Sequence, residues 1–181
     1  MTYCEFVLRE TTHVLHRQYH DDEYGFPVQD DDVLFERLVL EINQAGLSWE
    51  TILKKRGTFR PAYAEFDVQR VAAFDESDTA RLLSDPGVIR NRLKVAAAIH
   101  NANVVLGLQK DHGSFKSWLD ANHPLAREEW TKLFKRTFKF TGGEIVNEFL
   151  TSTGYLPGAH EESCPVYKKI AALAPPWLNA Q

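Results

Sequence analysis

Apolar residues recur every three to four positions along most of this chain, and the period-two alternation of half-buried strands is scarce. Residues 31–46 show the repeat most clearly. Val33, Leu34, Leu38 and Ile42 fall on one face, and acidic residues at the start favour the helix dipole. A second helix is predicted from Ser48 to about Arg56. Asp67 is placed to cap a helix over 68–74, and Ser77 or Asp78 one over 79–84. An Ala- and Val-rich run at 90–106 is strongly helical. Shorter helices follow at 114–121, 128–136 and 142–153, the last stopped by Gly154. The expected fold is all-α, an irregular bundle of short helices.

The 181 residues are 44% hydrophobic and 25% charged, enough for one sizeable core, so a single domain over 1–181 is expected. The formal net charge of −4 argues against a nonspecific nucleic-acid coat and leaves room for a small basic face. There is no charged-then-apolar leader, and no apolar run approaches the ~20 residues of a membrane span. A cytoplasmic, membrane-free monomer is the expectation.

Three segments have chemical potential. In Leu82-Leu83-Ser84-Asp85-Pro86-Gly87-Val88-Ile89-Arg90-Asn91-Arg92, a helix ends, a Pro-Gly turn follows and a basic helix begins. This is the form of a helix-hairpin-helix. Its glycine permits close backbone approach, its amides suit a phosphate, and Arg90, Arg92 and Lys94 would add charge. A plain helix–helix connection is the simpler alternative. In Glu41-Ile42-Asn43-Gln44-Ala45-Gly46-Leu47-Ser48-Trp49, an apolar helix bearing a carboxylate breaks at Gly46 into Leu-Ser-Trp. Glu41 suits a purine edge, Trp49 suits stacking, and Leu47 suits a wedge into a vacated base stack. The plain alternatives are a solvated Glu41 and a core Trp49 and Leu47. The third segment, Tyr19-His20-Asp21-Asp22-Glu23-Tyr24-Gly25, offers pocket-lining aromatics and carboxylates, or simply a polar turn. Basic residues at 54–56 and at Lys132, Lys135, Arg136 and Lys139 read as solvated faces.

The two cysteines lie at opposite ends of the chain. Cys4 is followed by His13, His16 and His20, and Cys164 follows His160 by four residues. A His-x3-Cys pair is half of a possible tetrahedral zinc site, and Cys4 with one N-terminal histidine would complete it. Two buried free thiols, or a Cys4–Cys164 disulfide, are the other readings that spacing leaves open.

Together these segments resemble the 3-methyladenine DNA glycosylase I family of the helix-hairpin-helix superfamily. The matching stretches are Tyr-His-Asp-Asp-Glu-Tyr-Gly at 19–25, Leu-Glu-Ile-Asn-Gln-Ala-Gly-Leu-Ser-Trp at 40–49, Ile-Leu-Lys-Lys-Arg at 52–56, Gly-Val-Ile-Arg-Asn-Arg at 87–92 and Phe-Lys-Phe-Thr-Gly at 138–142. The resemblance implies structural zinc on Cys4, His20, His160 and Cys164. It also implies hydrolysis of the N-glycosidic bond of 3-methyladenine in alkylated double-stranded DNA, with the base flipped out of the stack and released. By resemblance, Glu41 meets the polar edge of the base, Tyr19 hydrogen-bonds it and Trp49 stacks on it. Leu47, beside Gly46, fills the hole, and the Gly87-Val88-Ile89-Arg90 hairpin holds a phosphate. No lysine stands where bifunctional members carry their nucleophile, so a monofunctional enzyme using water is implied.

The chain departs from the family in its expected aromatic pocket. Members usually have Trp at the positions of Phe6 and Tyr24, and Tyr at that of His16. The region from about Asn122 to Arg136 is also shorter. These changes bear on substrate: another N-alkylated base, or a DNA- or nucleobase-binding homologue with little or no turnover, are the competing readings. A zinc-stapled interaction protein without a DNA role is a third. A pocket-facing His16 would weaken binding of a cationic base below its ordinary pKa of ~6.5.

Overall fold

The computed structural model describes residues 1–179, and among them every regular element is helical. The helices are α1 (Tyr3–Val7), α2 (Val14–Asp22), α3 (Asp31–Gln44), α4 (Trp49–Ala62), α5 (Val68–Ala72), α6 (Glu76–Ser84), α7 (Arg92–His112), α8 (Phe115–Asn122), α9 (Arg127–Thr137), α10 (Gly143–Ser152) and α11 (Pro165–Ala172). Short 3-10 turns stand at Ala64–Phe66 and Pro176–Asn179.

Helix α3 is the axis of the fold, with α4, α5, α7, α8 and α10 packed around it. That arrangement overrides the one-faced pattern expected for it. Every residue from Leu34 to Asn43 is buried, whereas Val33, assigned to the apolar face, is exposed at the entrance to the helix. Four polar side chains are carried inside with the rest: Glu36, Arg37, Glu41 and Asn43. Burying such groups is costly unless they are paired. Glu36 is held by Arg56 at 2.8 Å and Arg60 at 2.9 Å. Arg37 pairs with Glu23 at 2.8 Å and donates to the Tyr19 hydroxyl at 3.0 Å. Asn43 donates to the Val39 carbonyl. Glu41 has no hydrogen bond or ion pair to any described residue.

Most helix starts follow local chemistry. Asp30, Ser48, Asp67, Asn91 and Ser114 each accept a hydrogen bond from a first-turn amide. The cap of α6 is Asp75, which forms a capping box with Asp78, so this helix begins three residues before the expected start. Helix α4 passes Arg56 and continues to Ala62, because Phe59 and Ala62 bury against the core. Helix α7 likewise runs to Gly113, which takes the left-handed backbone conformation (φ 88°) that stops it. Helices α1, α2 and α11 were not anticipated. The buried face of α2 is His16, Tyr19 and His20, a helical i, i+3, i+4 spacing made of residues that do not read as hydrophobic.

Candidate active site

Helix α3 ends beside α2 and the start of α4. There the structure encloses a cavity of about 290 Å³ lined by Tyr3, Tyr19, Tyr24, Glu41, Gln44, Trp49 and Glu148. The volume is enough to admit a single nucleobase. Tyr19 and Trp49 pack at 5.1 Å between ring centroids, Tyr19 and Tyr24 at 5.6 Å, and Tyr3 meets Tyr24 edge-on at 5.3 Å. The wall thus holds four aromatic side chains and two carboxylates and, among the described residues, no Lys, Arg or His.

Glu41 is 4% exposed and lines this space without a partner. Burial, reinforced by the nearby Glu148 charge and opposed by Arg37, pushes its carboxyl up to about 8. At neutral pH Glu41 is therefore a carboxylic acid able to donate as well as accept. Tyr3, Tyr19 and Tyr24 are all raised, chiefly by burial, so they stay protonated hydroxyls. The Tyr19 oxygen accepts from Arg37, which fixes it and leaves its own proton available. The indole Nε1 of Trp49 is buried and has no hydrogen-bond partner among the described residues.

Expected site residues separate at this point. Glu41, Tyr19, Trp49 and Tyr24 come together around the cavity. Phe6 and His16 do not line it. Phe6 stacks behind Tyr3 at 6.1 Å, and His16 Nδ1 lies 2.9 Å from the Tyr3 hydroxyl. Burial pushes the His16 imidazole down, against the opposing pull of Glu50, so it acts as a neutral support for Tyr3 and not as a titrating pocket wall. Three wall residues escaped sequence reading. Gln44 lies one helical turn after Glu41 in a motif already singled out, and Tyr3 adjoins Cys4. Glu148 is a lone acid in the apolar run Ile145-Val146-Asn147-Glu148-Phe149-Leu150, where only folding brings it near Glu41.

Beside the cavity mouth, Gly46 adopts φ 80° and turns the chain so that Leu47 is 39% exposed. Lys94 sets this turn from beneath. Its ammonium donates to the carbonyls of Asn43 at 2.8 Å and Ala45 at 2.6 Å, closing the C-terminal end of α3. The expectation that Lys94 adds charge beside a phosphate is thus overturned, because it is buried in a structural bond. Replacing it by Met is expected to cost about 2–3 kcal/mol, read by urea denaturation, since two carbonyls lose a charged donor. The same substitution is expected to slow any reaction that depends on a fixed Leu47.

The hairpin between α6 and α7 also differs from expectation in detail. The Gly87 amide donates to Asp85 at 2.7 Å and its carbonyl accepts from Thr58 at 2.6 Å. A Cβ there would meet Thr58 Cβ at 2.9 Å. Gly87 therefore lets the hairpin pack on α4, and its amide is already spent. Val88 is buried. The amides of Ile89 and Arg90 remain without partners among the described residues, and the Arg90 side chain is exposed.

On the far side of Tyr3 and Tyr24, Cys4, His20, His160 and Cys164 bring their ligand atoms within 4.8 Å of one another, all buried. Each sulfur faces both imidazoles. Cys4 Sγ lies 3.4 Å from His20 Nε2 and 3.7 Å from His160 Nδ1, and Cys164 Sγ lies 3.9 Å and 3.7 Å from the same atoms. A tetrahedral ion with S at about 2.3 Å and N at about 2.0–2.1 Å would set S and N roughly 3.6 Å apart. The outward nitrogens are also held: His20 Nδ1 by Asp21 at 2.7 Å, and His160 Nε2 by the Tyr24 carbonyl at 2.7 Å. The thiols are not joined as a disulfide. This cluster can bind a metal, and it excludes His13 and His16 from the ligand set.

Residues 9–132 match the family model described as methyladenine glycosylase. The chain belongs to this family. It is 36% identical to DNA-3-methyladenine glycosylase 1 of Escherichia coli (strain K12), over 92% of this chain and 97% of that one. It is 34% identical to DNA-3-methyladenine glycosylase of Haemophilus influenzae, over 91% and 97%. Its structure is similar to a variant of 3-methyladenine DNA glycosylase I in complex with 3-methyladenine, with a TM-score of 0.80 and 30% identity over 92% of this chain and 97% of that chain. The all-α architecture expected from periodicity is that of the solved glycosylase structures the chain resembles.

Proposed function

We propose that this chain is a DNA-repair glycosylase that hydrolyses the N-glycosidic bond of 3-methyladenine in alkylated double-stranded DNA and releases the free base. The observation that carries the reading is Glu41, buried without a partner in a base-sized aromatic cavity, within a chain of this family. A flipped adenine presents polar edge atoms that this acid can meet. N3-methylation puts a positive charge on the ring, and the faces of Trp49 and the tyrosines favour such a cation by about 0.5–2 kcal/mol.

The chemistry asks little of the protein. The C1′–N9 bond breaks with its electron pair going to the purine, which leaves as a neutral base. Water adds to C1′ and gives up a proton to solvent. Tyr19, Glu41 and Trp49 hold the base as its charge disappears, and no lysine is needed because no covalent intermediate forms. Leu47 is proposed to occupy the space left in the duplex. Ile89 and Arg90 are proposed to meet a phosphate through two partnerless amides and one exposed guanidinium. Truncating Leu47 to Ala is expected to reduce base release about tenfold and to leave thermal stability within about 0.5 kcal/mol, because the side chain is already substantially exposed.

Zn²⁺ is the ion this reading assigns to Cys4, His20, His160 and Cys164, since two thiolates and two imidazoles at these separations suit it. A closed four-ligand site is structural. Two thiols that stay unpaired fit a reducing cytoplasm, and a monomer acting as one domain over 1–181 completes the proposal.

The competing reading of a binding homologue without turnover rested on the changes at Phe6, His16 and Tyr24. Two of those positions stand behind the wall, which removes most of its support. The test is single-turnover incubation with methylated duplex DNA and chromatographic identification of released bases. Release of 3-methyladenine supports the proposal. A folded, metal-loaded protein that binds duplex and releases nothing favours the binding homologue, and release of a different alkylated base redirects the substrate.

A further inference from the structure

The cavity contains a second carboxylate that the base-contacting residues discussed above do not account for. Glu148 projects from α10, which packs directly on α3, and it lines the same space as Glu41. Its oxygens accept from the Tyr24 hydroxyl at 3.3 Å and, weakly, from the neighbouring Asn147 amide at 3.4 Å. No Lys, Arg or His forms an ion pair with it among the described residues. The nearest buried cation, Arg37, is committed to Glu23 and to the Tyr19 hydroxyl. The other guanidiniums of this region, Arg56 and Arg60, are committed to Glu23 and Glu36. The wall therefore carries two acids and, among the described residues, no Lys, Arg or His; Arg37, outside the lining, offsets part of the burial of Glu41 and forms no ion pair with Glu148.

We propose that Glu148 is a specificity-determining residue of this site, whose carboxylate selects a cationic N-alkylated purine over a neutral base of the same shape. The inference rests on the glycosylase reading and assigns its two acids different tasks. Glu41 is the more deeply buried, and burial together with the Glu148 charge keeps its proton on at neutral pH, which suits it to hydrogen-bond the base edge. Glu148 is only half-buried, is held by a tyrosine hydroxyl, and is the neighbouring charge that helps to raise the Glu41 carboxyl, so the inference assigns it the electrostatic task. Coulomb attraction across a partly desolvated cavity acts on a charged ring and ignores a neutral one. Aromatic faces also favour a cation, but they bind any flat base, so a full charge discriminates more sharply. Normal adenine would gain nothing from Glu148. The product, neutral once the bond has broken, would lose the attraction and leave more readily.

The test compares two small molecules on the full-length, metal-loaded protein. Neutral 3-methyladenine is one. The other is the 3,9-dimethyladeninium ion, a fixed cation in which a methyl group stands for the sugar. Affinities are read from the fluorescence of Trp49, which lines the cavity, with calorimetry as a check. Wild type is expected to prefer the cation. Glu148→Gln is expected to lose about 30-fold on the cation, equivalent to about 2 kcal/mol, and less than threefold on the neutral base. Glu148→Asp keeps the charge and is expected to retain most of the cation preference. Equal losses on both ligands would mean that Glu148 only shapes the wall, and no loss would mean that its charge is screened. Either result overturns the inference while base release by the wild type leaves the glycosylase reading intact. A wild type that binds neither ligand and releases no base from methylated duplex removes both.

Discussion

Replacing Glu41 by Gln is expected to slow single-turnover release of 3-methyladenine by about 100-fold, close to 2.7 kcal/mol of transition-state stabilisation. The substitution keeps shape and volume, so the cavity and α3 should persist. What it removes is an acid held at about 8 by burial and by Glu148. Two further consequences separate this residue from a merely structural one. A cationic base entering the cavity favours the ionised form, so its binding to wild type should strengthen as pH rises toward about 8, while the variant should be flatter over that range. Stability follows the same group with a definite sign. The folded carboxyl is raised from 4.5 to about 8, so the folded chain holds a proton that the unfolded chain has released between those values. That contribution is complete below about 4.5 and is lost as pH rises through about 8. Glu41→Gln should therefore be nearly as stable as wild type at pH 4.5 and more stable above pH 8, by about 1–3 kcal/mol. Thermal melts across that range measure the difference. An unchanged release rate would remove Glu41 from the chemistry, whatever the melts show.

Loss of a metal ligand is expected to have the largest effect on the fold. Cys4, Cys164, Val166 and Ile170 form a small apolar cluster of their own, apart from the main core around Leu34, Leu38 and Ile42. So small a cluster has little burial with which to fix α1, α2 and α11 against one another. A bound ion would supply the missing cohesion. Cys164→Ser is expected to abolish stoichiometric zinc, measured by elemental analysis, and to cost about 4 kcal/mol. For a chain of this length that lowers Tm by roughly 8–16 °C. Base release should fall as well, because Tyr3 precedes Cys4, Tyr19 precedes His20, and Tyr24 receives a hydrogen bond from His160. The cluster is thus a clamp on three of the four aromatic walls. Wild-type protein that purifies without metal and melts together with Cys164→Ser would return the two thiols to ordinary core residues.

The two substitutions act on opposite ends of one design. On the proposed reading the Cys/His cluster, once loaded, would position rings that any flat base can use, whereas Glu41 would act on the base itself. Lys94 and Gly46 belong with the clamp: they fix where Leu47 stands, by a bond to α3 and by a left-handed turn. A variant that weakens positioning should lower base release together with stability, and one at Glu41 should lower release alone at neutral pH.

Several of these features could be read from the chain before folding was considered. Helices with an apolar repeat and a capping residue, such as those after Ser48, Asp67, Asn91 and Ser114, are encoded locally, because cap and repeat lie within one or two turns. The segment from Glu41 to Trp49 also revealed itself, since carboxylate, glycine break, leucine and tryptophan are contiguous. The same holds for His160 and Cys164. Local sequence was silent where burial is supplied by polar residues. Helix α2 hides His16, Tyr19 and His20, which hydropathy does not mark, and α3 buries Glu36, Arg37 and Glu41 as well as the expected Leu34, Leu38 and Ile42, so hydropathy marks only part of its buried surface.

Sequence alone determined the all-helical class, the contiguous carboxylate, glycine break, leucine and tryptophan of the 41–49 segment, and a Cys/His set able to hold one metal. Tertiary structure decided which histidine joins that set, that His16 and Phe6 stand behind the wall, and that Lys94 is a buried brace instead of a phosphate contact. It also decided that Glu148, on a helix a hundred residues away in the chain, shares a cavity with Glu41. The division has one physical cause. Caps, turns and amphipathic repeats depend on neighbours a few residues apart, whereas the charge state and partner of a buried polar group depend on whatever packing brings beside it.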